Sequence, residues 1–345
     1  EQGVPTLEKV AQARLPISRR IRRFICHKPL ALYVGLILLL TAAWSAGLLA
    51  FAGARDVPVW GLVGLAPLLI LAMSQLASTL VNWLVPLIVP PRMMPRMDYS
   101  AGIPAGYPSM VVVPTMLADE SGAAQLLERL EVHYLSNRDD RLYFALLTDF
   151  KDAAQQEMPK DALVLQAAAE GIKRLNQRYG TASHQPFLLF HRPRRWSESE
   201  GKWIGYERKR GKLTEFNALL RGGPRDRFMA IEGDSTVLAA IRFVITLDTD
   251  TEMPRDAARK LVATMAHPLI QAQFDPKTGL IHEGYAILQP RMAVSLPSAS
   301  RSLFVKLLSG EPGIDPYTHI VSNLYQDLFQ EGSFIGKGIY DVDAF

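Results

Sequence analysis

Arg242-Phe-Val-Ile-Thr-Leu-Asp-Thr-Asp-Thr251 is a run of β-forming residues that stops abruptly at two carboxylates one residue apart. Side chains at i and i+2 of a strand point the same way, so Asp248 and Asp250 are placed to face one ligand together. Hard oxygen donors in this arrangement suit Mg²⁺ or Mn²⁺, which takes its other ligands from water and substrate phosphates. By itself the pattern is equally that of a solvated strand end, so the surrounding sequence decides.

Strands and helices alternate on the way to this segment. The sequence predicts a buried strand over 109–115, a helix over 121–135 and a second strand over 142–148 that ends at Asp149. A longer helix is expected over 160–178, a third strand over 187–190, a helix starting at Glu215 and a fourth strand over 243–247. This order implies an α/β fold with a mainly parallel sheet, right-handed crossovers and flanking helices. Ligands of such sheets bind beyond the carboxyl ends of the strands. Thr115, Asp149 and the Asp248/Asp250 pair all fall there.

Two basic segments lie between the strands. His191-Arg-Pro-Arg-Arg-Trp196 reads as a solvated charged loop. Glu207-Arg-Lys-Arg-Gly-Lys-Leu-Thr-Glu-Phe-Asn217 sets Arg208, Arg210 and Lys212 around a glycine ahead of the helix. A basic loop at a helix N-terminus suits a diphosphate, and a surface helix with solvated charges is the plainer alternative.

The N-terminal third has a different character. Pro29 to Gly53 and residues 57–89 are apolar stretches without internal charge apart from their ends, each long enough for the roughly 20 residues a bilayer helix requires. Arg14, Arg19, Arg20, Arg22, Arg23 and Lys28 precede the first, Arg92 and Arg96 follow the second, and only Arg55 and Asp56 lie between. The positive-inside rule then puts both flanks in the cytoplasm. Trp60 and Trp83 fall near the expected interfaces, and the arginine cluster suits anionic headgroups of the lipid bilayer. Three regions result: a basic segment over 1–28, two transmembrane helices over 29–91 and a cytoplasmic domain over 92–345.

The net charge of +4 over 345 residues is modest. It lacks the basic stripe that nucleic-acid binding calls for. Cys26 is the single cysteine, so neither an internal disulfide nor a cysteine metal site can form. No histidine pair, His267 and His282 included, has metal-ligand spacing, and no Ser-His-Asp or Cys-His arrangement is apparent.

The strand-borne Asp149, the Arg210-Gly-Lys-Leu213 segment with Asn217, and Leu247-Asp-Thr-Asp250 resemble the ordered landmarks of nucleotide-sugar glycosyltransferases of the GT-A fold. Further segments resemble cyclic β-1,2-glucan synthases: Gly284-Tyr-Ala-Ile-Leu-Gln-Pro-Arg291, Ser295-Leu-Pro-Ser-Ala299, Gly310-Glu-Pro-Gly-Ile-Asp-Pro-Tyr-Thr318, and the long run from Tyr325 to Phe345. That family builds its glucan from UDP-glucose at the bacterial inner membrane. The resemblance implies that Asp149 contacts the uridine, that Asp248 and Asp250 hold metal and diphosphate, and that Arg210 and Lys212 steady the diphosphate. It further implies that Gln289, Arg291 and the Gly336-Lys337-Gly338 turn line the sugar or glucan-acceptor side, where Gly336 and Gly338 equally suit a tight turn. Inversion at the sugar calls for a carboxylate that deprotonates the acceptor. In the family it follows the Gly-Lys-Gly segment, so the chain reads as a fragment whose partners include the remaining C-terminal part of a longer enzyme. Asp341 and Asp343 read as solvated turn carboxylates, and Tyr317, Tyr325 and Tyr340 fall near the acceptor side. A cellulose-like synthase and a non-catalytic membrane scaffold are the alternatives.

Overall fold

The computed structural model describes residues 28–88, 94–182, 184–275, 277–290 and 336–345, with Val10, Ala11, Pro16 and Phe24 in addition. The chain divides into two compact units, and each is treated on its own. The expected Arg291, Tyr317 and Tyr325 lie outside the described residues.

In the first unit, helix α1 spans Pro29–Gly53 and helix α2 spans Val59–Ile88. Pro29 starts α1, where its missing N–H costs nothing. Both helices are long and apolar enough to cross a membrane, with mean hydropathy of 2.1 for α1 and 1.9 over Val59–Val85. Most large apolar side chains, Leu38, Leu39, Val63 and Leu71 among them, point outward. The buried positions are small or polar: Thr41, Ser45, Ala77 and Val81. That is how helices pack in lipid, where small residues allow close backbone approach and hydroxyls return to the backbone. Thr41 donates to the Ile37 carbonyl at 2.7 Å, and Tyr33 donates to Asn82 Oδ1 at 2.7 Å across the pair.

The second unit is built on a seven-stranded sheet among the described residues. Its strands are β1 (Ser109–Leu117), β2 (Leu142–Phe150), β3 (Phe187–Arg192), β6 (Ala230–Glu232), β7 (Phe243–Thr246), β10 (Ile287–Leu288) and β11 (Gly338–Asp341). The order is β10-β11-β7-β1-β2-β3-β6. The central four, β7-β1-β2-β3, are parallel, and the outer three pair antiparallel. The expected α/β architecture is therefore present. Two hairpins stand apart from this sheet: β4 (Arg195–Ser197) with β5 (Lys202–Ile204), and β8 (Gln273–Phe274) with β9 (Ile281–Glu283).

Burial on both faces explains why these strands read as continuous apolar runs. Alternate residues feed two cores. Val111, Phe144, Leu189 and Ile245 face helices α3 (Glu120–Ser136), α4 (Asp161–Tyr179) and α6 (Ala257–Met265). Met110, Leu147, Phe190 and Val244 face helix α5 (Arg208–Leu220). Asp119 caps α3, its carboxylate accepting from the Gly122 amide at 2.7 Å. The helix-forming stripe Val164, Ala168, Ile172 and Leu175 turns α4 inward.

Candidate functional site

The register places the chemistry. Thr115 of β1 is opposite Thr148 of β2, Met116 opposite Asp149, and Asp149 opposite Arg192 of β3. Val112 pairs with Thr246, the last residue of β7, so Asp248 emerges at the same end of the sheet. A pocket of about 250 Å³ opens there, lined by Thr115, Asp149, Gly205, Arg208, Lys209 and Lys212, with Thr249 at its edge.

Asp149 is 1% exposed and sits at the centre of a buried charge network. Arg192 grips it with two hydrogen bonds, Nε to Oδ1 at 2.8 Å and Nη2 to Oδ2 at 3.0 Å. The same guanidinium reaches Glu215 at 2.9 Å and the Tyr206 carbonyl at 3.0 Å. Lys212 Nζ lies 3.0 Å from Asp149 Oδ2 and donates to the Thr115 carbonyl at 2.5 Å. Burial lowers the Lys212 ammonium below its ordinary value, with the Asp149 carboxylate opposing that shift. For Arg192, burial is the largest single influence and acts against the charge, yet the Asp149 and Glu215 carboxylates that accept its hydrogen bonds together outweigh it and the pKa is raised.

His191-Arg-Pro-Arg-Arg-Trp196 is thus not a solvated loop. β3 continues through Arg192, and Arg192 and Arg194 are 2% and 4% exposed. Arg194 is bound by Asp161, donates to the Gln156 carbonyl at 3.0 Å and lies over the Phe150 ring. His191 is fully buried, with Nδ1 2.7 Å from Thr148 Oγ1 and Nε2 without a partner. Burial pushes its pKa down to about 4, against the pull of Asp149. The unfolded chain takes up this proton near pH 6.5 and the folded chain only near 4. Stability is therefore whole above pH 6.5 and lost as pH falls toward 4, by up to ~3 kcal/mol. His191→Gln is expected to flatten the acid limb of a melting-temperature profile between pH 7 and 4.5. An unchanged slope would remove His191 as its source.

Gly205 permits the Asp149 arrangement. A Cβ there would lie 2.2 Å from Asp149 Oδ2 and 2.6 Å from its Cγ, both parts of a side chain that is already fixed. Gly205→Ala is expected to displace Asp149 and cost about 1–3 kcal/mol, as overpacking of a filled interior does. Denaturant titration checks this.

The basic segment at 207–217 is helical from its first turn. Helix α5 begins at Arg208 rather than at Glu215, preceded by Glu207 and opening on Arg208, both at positive φ (50° and 49°). Successive helix positions turn by about 100°, so Arg210 and Lys212 face different ways. Lys212 points into the pocket. Arg210 points out, with an 85% exposed side chain whose ion partner is Glu207 at 3.8 Å. Arg208 and Lys209, at the helix start, take the pocket positions instead. Lys209 was hidden among its neighbours, although it lies in the segment that drew attention to the site.

Asp248 is held by two ammonium groups. Lys209 Nζ is 2.5 Å from Oδ1 and Lys337 Nζ is 3.1 Å from Oδ2. Burial raises the Asp248 pKa, but the Lys209 hydrogen bond and then Lys337 overcome this and hold it below the usual carboxylate range. Lys209 also donates to the Gly336 carbonyl at 2.7 Å, and Thr246 Oγ1 donates to the same oxygen at 3.1 Å. Gly336 has φ 86° and Gly338 φ 157°, and a Cβ on Gly338 would lie 2.4 Å from the Leu288 carbonyl. The Gly336-Lys337-Gly338 turn is therefore a device that delivers Lys337 to Asp248. Gln289 follows β10 with its backbone against Gly338 and is not among the residues that line this pocket.

Asp250 stands apart, 83% exposed and 3.9 Å from Lys337. Among the described residues no group of three or more His, Cys, Asp or Glu is arranged to hold a metal. The local donor set is the two carboxylates Asp248 and Asp250, a set that fits a hard divalent cation whose other ligands are phosphate and water. Of the two carboxylates expected in a solvated turn, Asp343 is exposed in the turn at 342–344, whereas Asp341 is not solvated. Asp341 is buried in β11 and paired with Arg242 at 2.7 Å, while Asp343 pairs with Arg221 at 2.5 Å. Tyr340 is buried in the core and donates to Asn217 Oδ1 at 2.7 Å.

A parallel α/β sheet whose strand ends gather lysines and carboxylates around a small polar pocket defines a ligand-binding domain suited to an anionic ligand. No protein-family model matches the chain. It is 40% identical over 297 residues to the cyclic β-(1,2)-glucan synthase NdvB of Rhizobium meliloti (strain 1021). The match takes in 86% of this chain and about 10% of the length of that relative. The sequence resemblance to the cyclic β-1,2-glucan synthases is therefore real, and it concerns a small portion of a much longer protein.

Proposed function

We propose that this chain is the donor-binding part of a membrane-bound, inverting β-1,2-glucan synthase of GT-A type that uses UDP-glucose. The observation that carries the reading is the joining of Asp248, Lys209 and Lys337 beside a basic pocket at the strand ends. The relation to NdvB supplies the product class. Arg208, Lys209 and Lys212 give the pocket the positive field a diphosphate needs. Asp149 and Thr115 form its floor beneath the nucleoside. When bound through Asp248 and Asp250, Mg²⁺ or Mn²⁺ would neutralise charge on the leaving diphosphate.

The helices α1 and α2 serve as the anchor, with the sheet domain on the cytoplasmic side of the inner membrane by the positive-inside rule. Asp149 and Asp248 are both ion-paired, and neither is free to deprotonate an acceptor hydroxyl. The reading accordingly gives this chain donor binding and leaves glucan polymerisation to the longer enzyme. Calorimetric titration of UDP-glucose into the detergent-purified chain tests it. Binding that appears with Mn²⁺ and disappears with chelator is expected, and absence of binding in a folded sample would favour a scaffold that kept the fold without the chemistry.

A further inference from the structure

One ammonium group touches both carboxylates of the Asp-x-Asp pair. Lys337 Nζ lies 3.1 Å from Asp248 Oδ2 and 3.9 Å from Asp250 Oδ1. Among the described residues Asp250 has no other ion partner, and Lys337 has none beyond these two carboxylates. The second lysine on Asp248 is fixed differently. Lys209 takes Oδ1 and also donates to the Gly336 carbonyl at 2.7 Å, which ties it to the backbone. The same carbonyl accepts from Thr246 Oγ1 at 3.1 Å, pinning the turn that carries Lys337. Turn and Lys209 are therefore anchored, whereas the Lys337 side chain is held by the carboxylates alone.

This arrangement sets a condition on the cation that the carboxylates can accept. Asp248 and Asp250 against Lys209 and Lys337 leave no net charge, so the cluster offers a lone divalent ion little attraction. Coordination by Asp248 Oδ2 at about 2.1 Å brings a Mg²⁺-sized ion within roughly 5 Å of Lys337 Nζ. Like charges at that separation repel, and beside a half-buried carboxylate water screens them less than in bulk. A diphosphate changes the balance. It carries negative charge in with the cation and gives Lys337 a phosphate oxygen in place of Asp248. Asp248 joins Lys337 to Lys209, which lines the donor pocket, so both ammonium groups belong to one cluster at its rim.

We infer that Lys337 makes the Asp248–Asp250 pair selective for a divalent cation that arrives with a diphosphate, by holding both carboxylates against the lone ion. The inference rests on the donor-binding reading above. Its consequence is coupling: cation and nucleotide strengthen each other's binding by one common factor, and Lys337 sets its size. The rearrangement is confined to the Lys337 side chain, which exchanges Asp248 for a phosphate oxygen while the anchored turn stays in place.

The test is titration of Mn²⁺ into the detergent-purified chain, with and without UDP, followed by the electron paramagnetic resonance signal of unbound Mn²⁺. UDP is expected to tighten Mn²⁺ binding to the parent chain by about tenfold or more. Lys337→Met is expected to bind Mn²⁺ alone about tenfold or more tightly than the parent does, and UDP then adds less. A lysine that only supported the turn would not hold a cation off, so its loss would not raise Mn²⁺ affinity. Arg210→Met removes one positive charge from the outward side of α5 and should leave Mn²⁺ binding unchanged. If Lys337→Met fails to fold, Lys337→Gln decides by the same criteria. Parental or weaker affinity for Mn²⁺ alone in the folded Lys337 variant would overturn the inference. An equal gain in Arg210→Met would overturn it too, by tracing the effect to net charge. So would a parent chain that binds Mn²⁺ equally with and without UDP. In each of these cases UDP-glucose binding by the parent leaves the donor reading standing. A folded parent chain that binds neither UDP nor UDP-glucose would sink both.

Discussion

Asp248→Ala is expected to weaken UDP-glucose binding at least ~100-fold, the consequence of losing a charged group that several partners share, worth 2–5 kcal/mol when such a partner is removed. The argument starts from the two lysines. Lys209 and Lys337 both direct their charge at Asp248. Without that carboxylate the two ammonium groups repel across a short gap, and the Gly336 turn loses the charge that draws Lys337 inward. A divalent cation bound as proposed would also lose one of its two protein oxygens. Lys337→Met should have a smaller effect, because Lys209 keeps both Asp248 and the Gly336 carbonyl. Parallel titrations of the two variants with Mn²⁺ check the ranking. An Asp248→Ala chain that binds the donor as tightly as the parent would remove this carboxylate from the site.

Arg192→Met is expected to be the most destabilising single change in the sheet domain. It removes the bidentate partner of a carboxylate that is 1% exposed, and breaking a buried ion pair from one side costs about 3–5 kcal/mol. For a domain of this size that corresponds to a melting temperature lower by roughly 10 °C. Lys212 remains on Asp149, so the carboxylate is not wholly abandoned, whereas the Tyr206 carbonyl loses its donor. The double variant Arg192→Met, Asp149→Leu should recover part of the loss by removing the stranded charge. Thermal unfolding followed by circular dichroism distinguishes the cases. A shift under 3 °C would mean that the network carries little of the stability.

The sheet was largely legible in the sequence because each central strand is buried on both faces and so appears as an unbroken apolar run. The runs at 109–115, 142–148, 187–190 and 243–247 all became strands, displaced at their ends by a few residues. The helix start at Arg208 was hidden by Gly211. Glycine disfavours helix, and here it is needed for a different reason: a Cβ would meet the Tyr206 carbonyl at 2.3 Å. Close approach, not looseness, explains that residue. Arg192 escaped notice because burial of an arginine depends on partners far away in sequence, Asp149 and Glu215, which only the folded sheet brings near. Asp341 misled for the same reason, since its partner Arg242 lies 99 residues earlier. Local pattern reports strands and helices well, and reports charge pairing poorly.

Strand β11 lends the sheet more than one further row of hydrogen bonds. Gly338 pairs with Thr246 across some ninety residues, and only this late pairing brings Lys337 to Asp248. During synthesis the strands β1, β2, β3 and β7 emerge first and can associate while β11 is still inside the ribosome. Until β11 docks, the β7 edge is open and the lysine clamp is half made. A nascent chain therefore acquires its central strands before this charge constellation is complete, and the docking of β11 acts as a maturation step for the pocket.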